Sequence, residues 1–176
     1  STHTKNDEKM KIVSLLLFSL SLLPKLASSL NDVSLLAGSG LTVPSPGSAN
    51  GVGTNAFFYN PRGIDISPDN TYALVAEQSN CQIRKIILST QTVSVFAGSG
   101  GGSANGIGTN AKFNNPLGLK ISPDGSYCLV GDYANNQVRK IVISTQQVSV
   151  FAGSTQGNAN GIGTNAQLYA PAGIAM

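Results

Sequence analysis

The sequence predicts an all-β chain of β-propeller blades, four-stranded antiparallel meanders in an incomplete ring, preceded by an N-terminal signal helix. Three observations predict it. A seven-residue motif returns at a fixed interval of 55 residues. Each interval holds four strand-like runs joined by tight turns. One long Gly- and Asn-rich connection then leads to the next four runs, which is the grammar of blades set around an axis.

The elements follow in chain order. Ser1–Lys9 is polar and precedes Met10, so residues 1–9 read as upstream sequence translated in frame. Lys11 opens an apolar and Ser run, Ile12–Leu23, closed by Pro24 and Lys25 and followed by small residues at Ala27, Ser28 and Ser29. A positive start, a short apolar stretch and a small-residue zone make residues 10–29 a signal peptide. Twelve helical residues span about 18 Å, short of the roughly 30 Å hydrocarbon core, so an uncleaved membrane anchor is the second choice. The expected address is the secretory pathway or the cell exterior, with a membrane touched only through this segment.

The body, 30–176, is the repeat. Asn50-Gly51-Val52-Gly53-Thr54-Asn55-Ala56 returns as Asn105–Ala111 and as Asn160–Ala166. Without a gap, 50–92 and 105–147 share 25 of 43 positions, too many for unrelated strands of a sandwich or barrel. Within one period, Gly63–Ser67 alternates apolar and polar residues. Pro68-Asp69-Asn70 turns, as Pro123-Asp124-Gly125 does in the copy, because Pro presets the first turn position and Asn or Gly tolerates the left-handed one. Tyr72–Ala76, Gln82–Leu88 and Val93–Ala97 supply the second to fourth strands. Full blades are thus expected at 63–97 and 118–152, the last strand of another blade at 33–37, and the start of a further one at 173–176. Met176 aligns with Ile121 inside a first strand, so more blades are expected beyond it.

Composition agrees. Charged residues are 11% and hydrophobic ones 41%, with 20 Gly and 8 Pro. That excludes a disordered charged tail. The net charge is +3, of which residues 1–29 carry two, so the body is nearly neutral and lacks a basic face for nucleic acid.

At Leu129–Ile141 (Leu-Val-Gly-Asp-Tyr-Ala-Asn-Asn-Gln-Val-Arg-Lys-Ile) and Leu74–Ile86 (Leu-Val-Ala-Glu-Gln-Ser-Asn-Cys-Gln-Ile-Arg-Lys-Ile) the chain resembles the NHL-repeat propellers. The Phe-Ala-Gly-Ser and Gly-x-Gly-Thr-x-Ala connections resemble those of extracellular members. The resemblance covers 33–176 and implies a six-bladed ring. For function it implies a range: protein-binding platform, RNA-binding domain, lyase or lactonase-like enzyme. The first is the expectation here, an exported module gripping a protein or other ligand through blade-connecting loops. The alternative is a metal-dependent hydrolase or lactonase-like enzyme with its site in blades outside this sequence.

Candidate residues are those repeated in phase. Glu77 and Asp132 are expected to accept backbone N–H bonds from the turns to Asn80 and Asn135. A ligand role at one face of the ring is the other option. Arg84-Lys85 and Arg139-Lys140 are expected as solvated strand residues, each pair pointing to opposite faces. The Asn-Gly-x-Gly-Thr-Asn-Ala loop is expected to be turn chemistry. Its oxygens suit Ca²⁺, but it has no carboxylate, so no cofactor or metal is expected. His3 is the sole histidine, which leaves the body without a Ser-His-Asp triad. Cys81 and Cys128 fall on different elements and are not expected to pair, and 30–176 holds no Asn-x-Ser/Thr acceptor.

Overall fold

The computed structural model describes residues 34–38 and 47–176. The expected signal segment, 10–29, lies outside the described residues. Ten strands form two five-stranded sheets. The first holds β1 (Gly51–Val52), β2 (Pro61–Ile66), β3 (Tyr72–Glu77), β4 (Gln82–Ile87) and β5 (Thr92–Ala97) in the order β1-β5-β4-β3-β2. The second repeats it with β6 (Gly106–Ile107), β7 (Pro116–Ile121), β8 (Tyr127–Asp132), β9 (Gln137–Val142) and β10 (Gln147–Ala152). All pairings within the sheets are antiparallel, and neither sheet closes on itself.

The local causes are legible. Pro61 and Pro116 open β2 and β7, the strand position where a missing N–H costs no ladder bond. Asn70 (φ 57°) and Gly125 (φ 71°) take the left-handed position of the β2–β3 and β7–β8 turns. Ser67 and Ser122 stitch those turns: each hydroxyl accepts the backbone N–H of Tyr72 or Tyr127 and donates to Asp69 or Asp124.

Each blade has five strands rather than the expected four. The repeated loop motif supplies the fifth: Gly51 lies opposite Val93, and Gly106 opposite Val148, at the outer edge of the blade that follows. Gly53–Asn55, Gly108–Asn110 and Gly163–Asn165 then turn as single 3-10 turns. The loop copies also fasten the preceding strand ends, since Gly38, Gly98 and Gly153 each donate N–H to the carbonyl of Gly53, Gly108 and Gly163.

Neither described part of the expected end strands, 34–37 and 173–176, is assigned as a strand. The physical reason is pairing. A strand is defined by a laddered neighbour, and the described residues hold none beside either segment. Gly38 nevertheless sits over Phe58 as Gly98 sits over Phe113.

The blades pack face against face. Tyr72, Leu74, Ala76, Ile83 and Phe96 of the first meet Leu119, Ile121, Cys128, Val130 and Ile141 of the second in one buried cluster. Period-2 alternation puts those residues on one face and Ala73, Val75 and Ile86 on the other, where a second cluster forms. Burial tracks the neighbour. Leu119 and Ile121 are 5% and 3% exposed, whereas Ile64 and Ile66, their equivalents on the outward face of the first blade, are 60% and 40% exposed. Gly63 and Gly118 set the spacing of the innermost strands. A Cβ on Gly63 falls 2.5 Å from the Leu117 carbonyl, and one on Gly118 falls 2.3 Å from that of Ala172. No helix among the described residues is long and apolar enough to cross a membrane.

Candidate functional site

Each sheet has two ends. At the lower end lie the β2–β3 and β7–β8 turns with Asp69 and Asp124. At the upper end β2 and β7 begin, β3 and β8 finish, and the long connections pass. All six repeat-equivalent candidates gather at the upper end.

There, Glu77 and Arg84 form a fully buried ion pair at 3.0 Å, and Asp132 and Arg139 form its copy at 2.9 Å. This corrects the expectation for the arginines, which are enclosed rather than solvated. Burying a guanidinium is tolerated only where its donors are matched. Here the terminal nitrogens are matched by loop carbonyls, an Asn oxygen and the carboxylate, while the Nε of each arginine is buried without a partner. Arg84 Nη1 donates to Phe57 O and Glu77 Oε2, and Nη2 to Ala49 O and Asn50 Oδ1. Arg139 repeats the set with Lys112 O, Asp132 Oδ2, Ala104 O and Asn105 Oδ1. Each guanidinium also lies over a ring, Arg84 above Phe58 at 5.2 Å and Arg139 above Phe113 at 5.4 Å.

The carboxylates also differ from expectation in their partners. Glu77 accepts the backbone N–H of Tyr59 and Asp132 that of Asn114, both in the preceding connection rather than in the turn. Asn80 and Asn135 bridge each carboxylate to the carbonyls of Gly47 and Gly102. Burial pushes the Asp132 carboxyl up, against the pull of the Asn114 amide, Asn135 and Arg139. Apart from the two Nε groups, the polar atoms of the cluster meet the protein's own atoms, so its work is to fasten the connection to the blade.

Lys85 and Lys140 project from the opposite face, as alternation requires, over the rings of Tyr72 (4.2 Å) and Tyr127 (4.5 Å). Cys81 and Cys128 are both free and buried, and burial pushes the Cys128 thiol up to about 12. Among the described residues no group of three or more His, Cys, Asp or Glu could hold a metal ion.

A groove of about 480 Å³ opens at the upper end between the innermost strands, lined by Arg62, Gly63, Gln78, Leu117, Tyr133 and Ala172 among others. Sequence reasoning missed it. The signal lay in comparing copies: Arg62 stands where the repeat has Leu117 and Ala172, and Gln78 where it has Tyr133. Arg62 is exposed, and its Nε donates to Gln78 Oε1 at 2.7 Å, which aims the guanidinium while leaving its terminal donors open. Tyr133 is 40% exposed. Deeper in, Asp65 breaks the repeat opposite Lys120, and the two close on each other at 2.8 Å while Asp65 also accepts the Ile121 N–H.

Two face-packed antiparallel sheets, repeated in phase and joined by outer-edge loops, define β-propeller blades. Comparison with known proteins points to the type: the blades are similar to those of NHL repeat-containing proteins. The sequence is 34% identical over 108 residues to NHL repeat-containing protein 2 of Bos taurus, covering 60% of this chain and 15% of that protein. The Homo sapiens protein of that name is 30% identical over 109 residues, covering 60% and 15%. Protein SUPPRESSOR OF QUENCHING 1, chloroplastic, of Arabidopsis thaliana is 30% identical over 129 residues, covering 68% and 12%. The chain thus spans 15% or less of these relatives. No family model matches it. Among solved structures, an auxiliary nutrient binding protein from Bacteroides ovatus superposes with a TM-score of 0.61 at 19% identity, over 70% of this chain and 34% of that one. Another of that description from Bacteroides thetaiotaomicron gives 0.53 at 20% identity, over 62% and 31%. At such identities these two speak for the fold alone.

Proposed function

We propose that this chain is a binding module that holds an acidic protein segment at the upper end of its blades. The observation that carries the reading is the convergence of repeat-breaking residues on one groove. Positions that serve the blade keep their chemical type from copy to copy, whereas Arg62 against Leu117 and Gln78 against Tyr133 do not, and these four share one hollow. Rigid blades with variable loops are the usual division of labour in a binding scaffold.

Charge placement favours an acidic ligand. Among the described residues Arg84, Arg139 and Lys120 are paired with carboxylates, and Lys85 and Lys140 lie over rings. Arg62 and Lys112 remain, both at the upper end. Among the described residues the carboxylates without a basic partner, Asp69 and Asp124, sit at the lower end. An incoming carboxylate finds open guanidinium donors on one wall of the groove and the Tyr133 ring on the other. In this reading the segment 10–29 exports the module, so the partner is met in the secretory pathway or outside the cell.

Titration of the protein with an oligoglutamate peptide, and with oligoglutamine as control, tests this. Calorimetry should show glutamate-selective binding that weakens with salt. Arg62→Ala should lower affinity about tenfold or more, since a bond to a charged group is worth about 1.5–3 kcal/mol. Equal binding of the two peptides, or an unchanged affinity in the variant, overturns the reading.

A further inference from the structure

The two blades are near copies, so the faces by which they meet are near copies too. Tyr72, Leu74, Ala76, Ile83 and Phe96 of the first blade cover Leu119, Ile121, Cys128, Val130 and Ile141 of the second. At the covered positions the first blade itself holds Ile64, Ile66, Ala73, Val75 and Ile86. Cores tolerate apolar exchanges of this size. Apolar packing would therefore accept a copy of the first blade where the second now sits, and it does not choose the order.

One contact across the joint does choose. Asp65 and Lys120 lie one repeat apart, so a single repeat position faces itself where β2 and β7 run side by side. The blade fold sets no demand there, since the third copy of the position is Ala175. Asp65 Oδ1 accepts Lys120 Nζ at 2.8 Å, and its Oδ2 accepts the Ile121 N–H at 2.8 Å. A first blade set on a copy of itself would bring Asp65 against Asp65. A second blade set on a copy of itself would bring Lys120 against Lys120 and leave the Ile121 N–H without its carboxylate. The second blade set before the first would keep opposite charges, but a lysine would then face the Ile66 N–H. The arrangement with the first blade before the second alone matches both the charges and the backbone donor.

We infer that Asp65 and Lys120 fix which blade follows which, by making the wrong neighbours repel rather than by tightening the right ones. The pair is 39% and 16% exposed, and an ion pair so wetted adds little stability. Like charges placed directly opposite are nonetheless unfavourable, and charge complementarity sorts partners more than it strengthens them. The hazard is capture of one folding chain by a second copy through blades that share 25 of 43 aligned positions.

Rapid dilution of the urea-unfolded full-length protein at high concentration tests this, with size-exclusion chromatography and light scattering to count chains that paired with another copy. Asp65→Asn/Lys120→Gln removes both charges at nearly constant size. In low salt this variant should leave several-fold more dimer and larger species than wild type. Sodium chloride should raise the wild-type fraction toward that of the variant and leave the variant's unchanged, because screening reaches a pair this exposed. The salt series needs wild type alone, so it decides the matter even where the variant fails to refold. Equal oligomer fractions in low salt overturn the proposal, and so does a wild-type fraction indifferent to salt.

Discussion

Replacing Arg139 with Met tests the buried pair most directly. The substitution keeps most of the side-chain volume and removes the charge. Four acceptors lose their donor: Asp132 Oδ2, Asn105 Oδ1 and the carbonyls of Lys112 and Ala104. The carboxylate is the costly one, because Asp132 and Arg139 are both 0% exposed at the side chain. Breaking a buried pair from one side costs about 3–5 kcal/mol, against a total stability of roughly 5–15 kcal/mol for a domain. Lys120→Met supplies the contrast, since its pair with Asp65 is 39% and 16% exposed and should be worth about 0–1 kcal/mol. Urea unfolding of wild type, Arg139→Met, Lys120→Met, Asp132→Asn and the Arg139→Met/Asp132→Asn double variant gives both costs and the coupling between Asp132 and Arg139. The double variant should recover part of the loss, because it no longer strands a buried charge. If Arg139→Met and Lys120→Met cost the same within about 0.5 kcal/mol, the assigned burial is refuted.

Three further outcomes are expected. Gly118→Ala should destabilise by about 1–3 kcal/mol in the same unfolding assay, because its methyl meets the Ala172 carbonyl and backbone must shift. A cost indistinguishable from zero would mean that the innermost strands are further apart. Asp124 is held down to about 2 by the Ser122 hydroxyl first, then by the Ser126 amide and hydroxyl. Its folded value lies below the unfolded 3.8, so its contribution is present above that value and disappears as pH falls toward 2. Carboxyl chemical shifts followed through that window should show Asp124 still ionised below 3.8 and titrating near 2. Finally, the Cys128 thiol should resist alkylation at neutral pH in the folded protein and react once urea unfolds it. Mass spectrometry of iodoacetamide-treated protein reads this, and rapid labelling of folded Cys128 would contradict its burial.

Much of the blade was legible in the sequence because its rules are local. Alternation around Ile64 and Ile66, the Pro-Asp-Asn turn, and the return of both after 55 residues leave little room for another architecture. β1 and β6 were not legible, because a two-residue strand has no period of its own. Its pairing is decided by a partner some forty residues later. The burial of Arg84 was hidden for a different reason. Alternation shows that Arg84 and Lys85 part company, but not which one turns inward, and arginine is seldom enclosed without a partner. The partner was visible in retrospect: an acid stands seven residues before the arginine in both copies, Glu77 in one and Asp132 in the other. Preserving charge while changing the side chain marks a pair better than either residue does alone. The groove required the opposite comparison, of positions where the copies disagree.

The reach of those arginines decides where one unit of this protein ends and the next begins. Arg84 fastens residues 49–57 to the blade that follows them and Asn80 extends the hold to Gly47, while Arg139 and Asn135 do so for 104–112 and Gly102. The exchangeable piece is therefore loop plus blade, 47–97 or 102–152, and the joint between pieces is Gly98–Gly101. At Gly100 and Gly101 an added Cβ would meet nothing within 4 Å. Duplication, grafting or circular permutation cut there would carry each arginine and asparagine fastening along with its own blade, and would part the Gly98 N–H from the Gly108 carbonyl. A cut placed in the middle of the connection would separate each arginine from the carbonyls it holds.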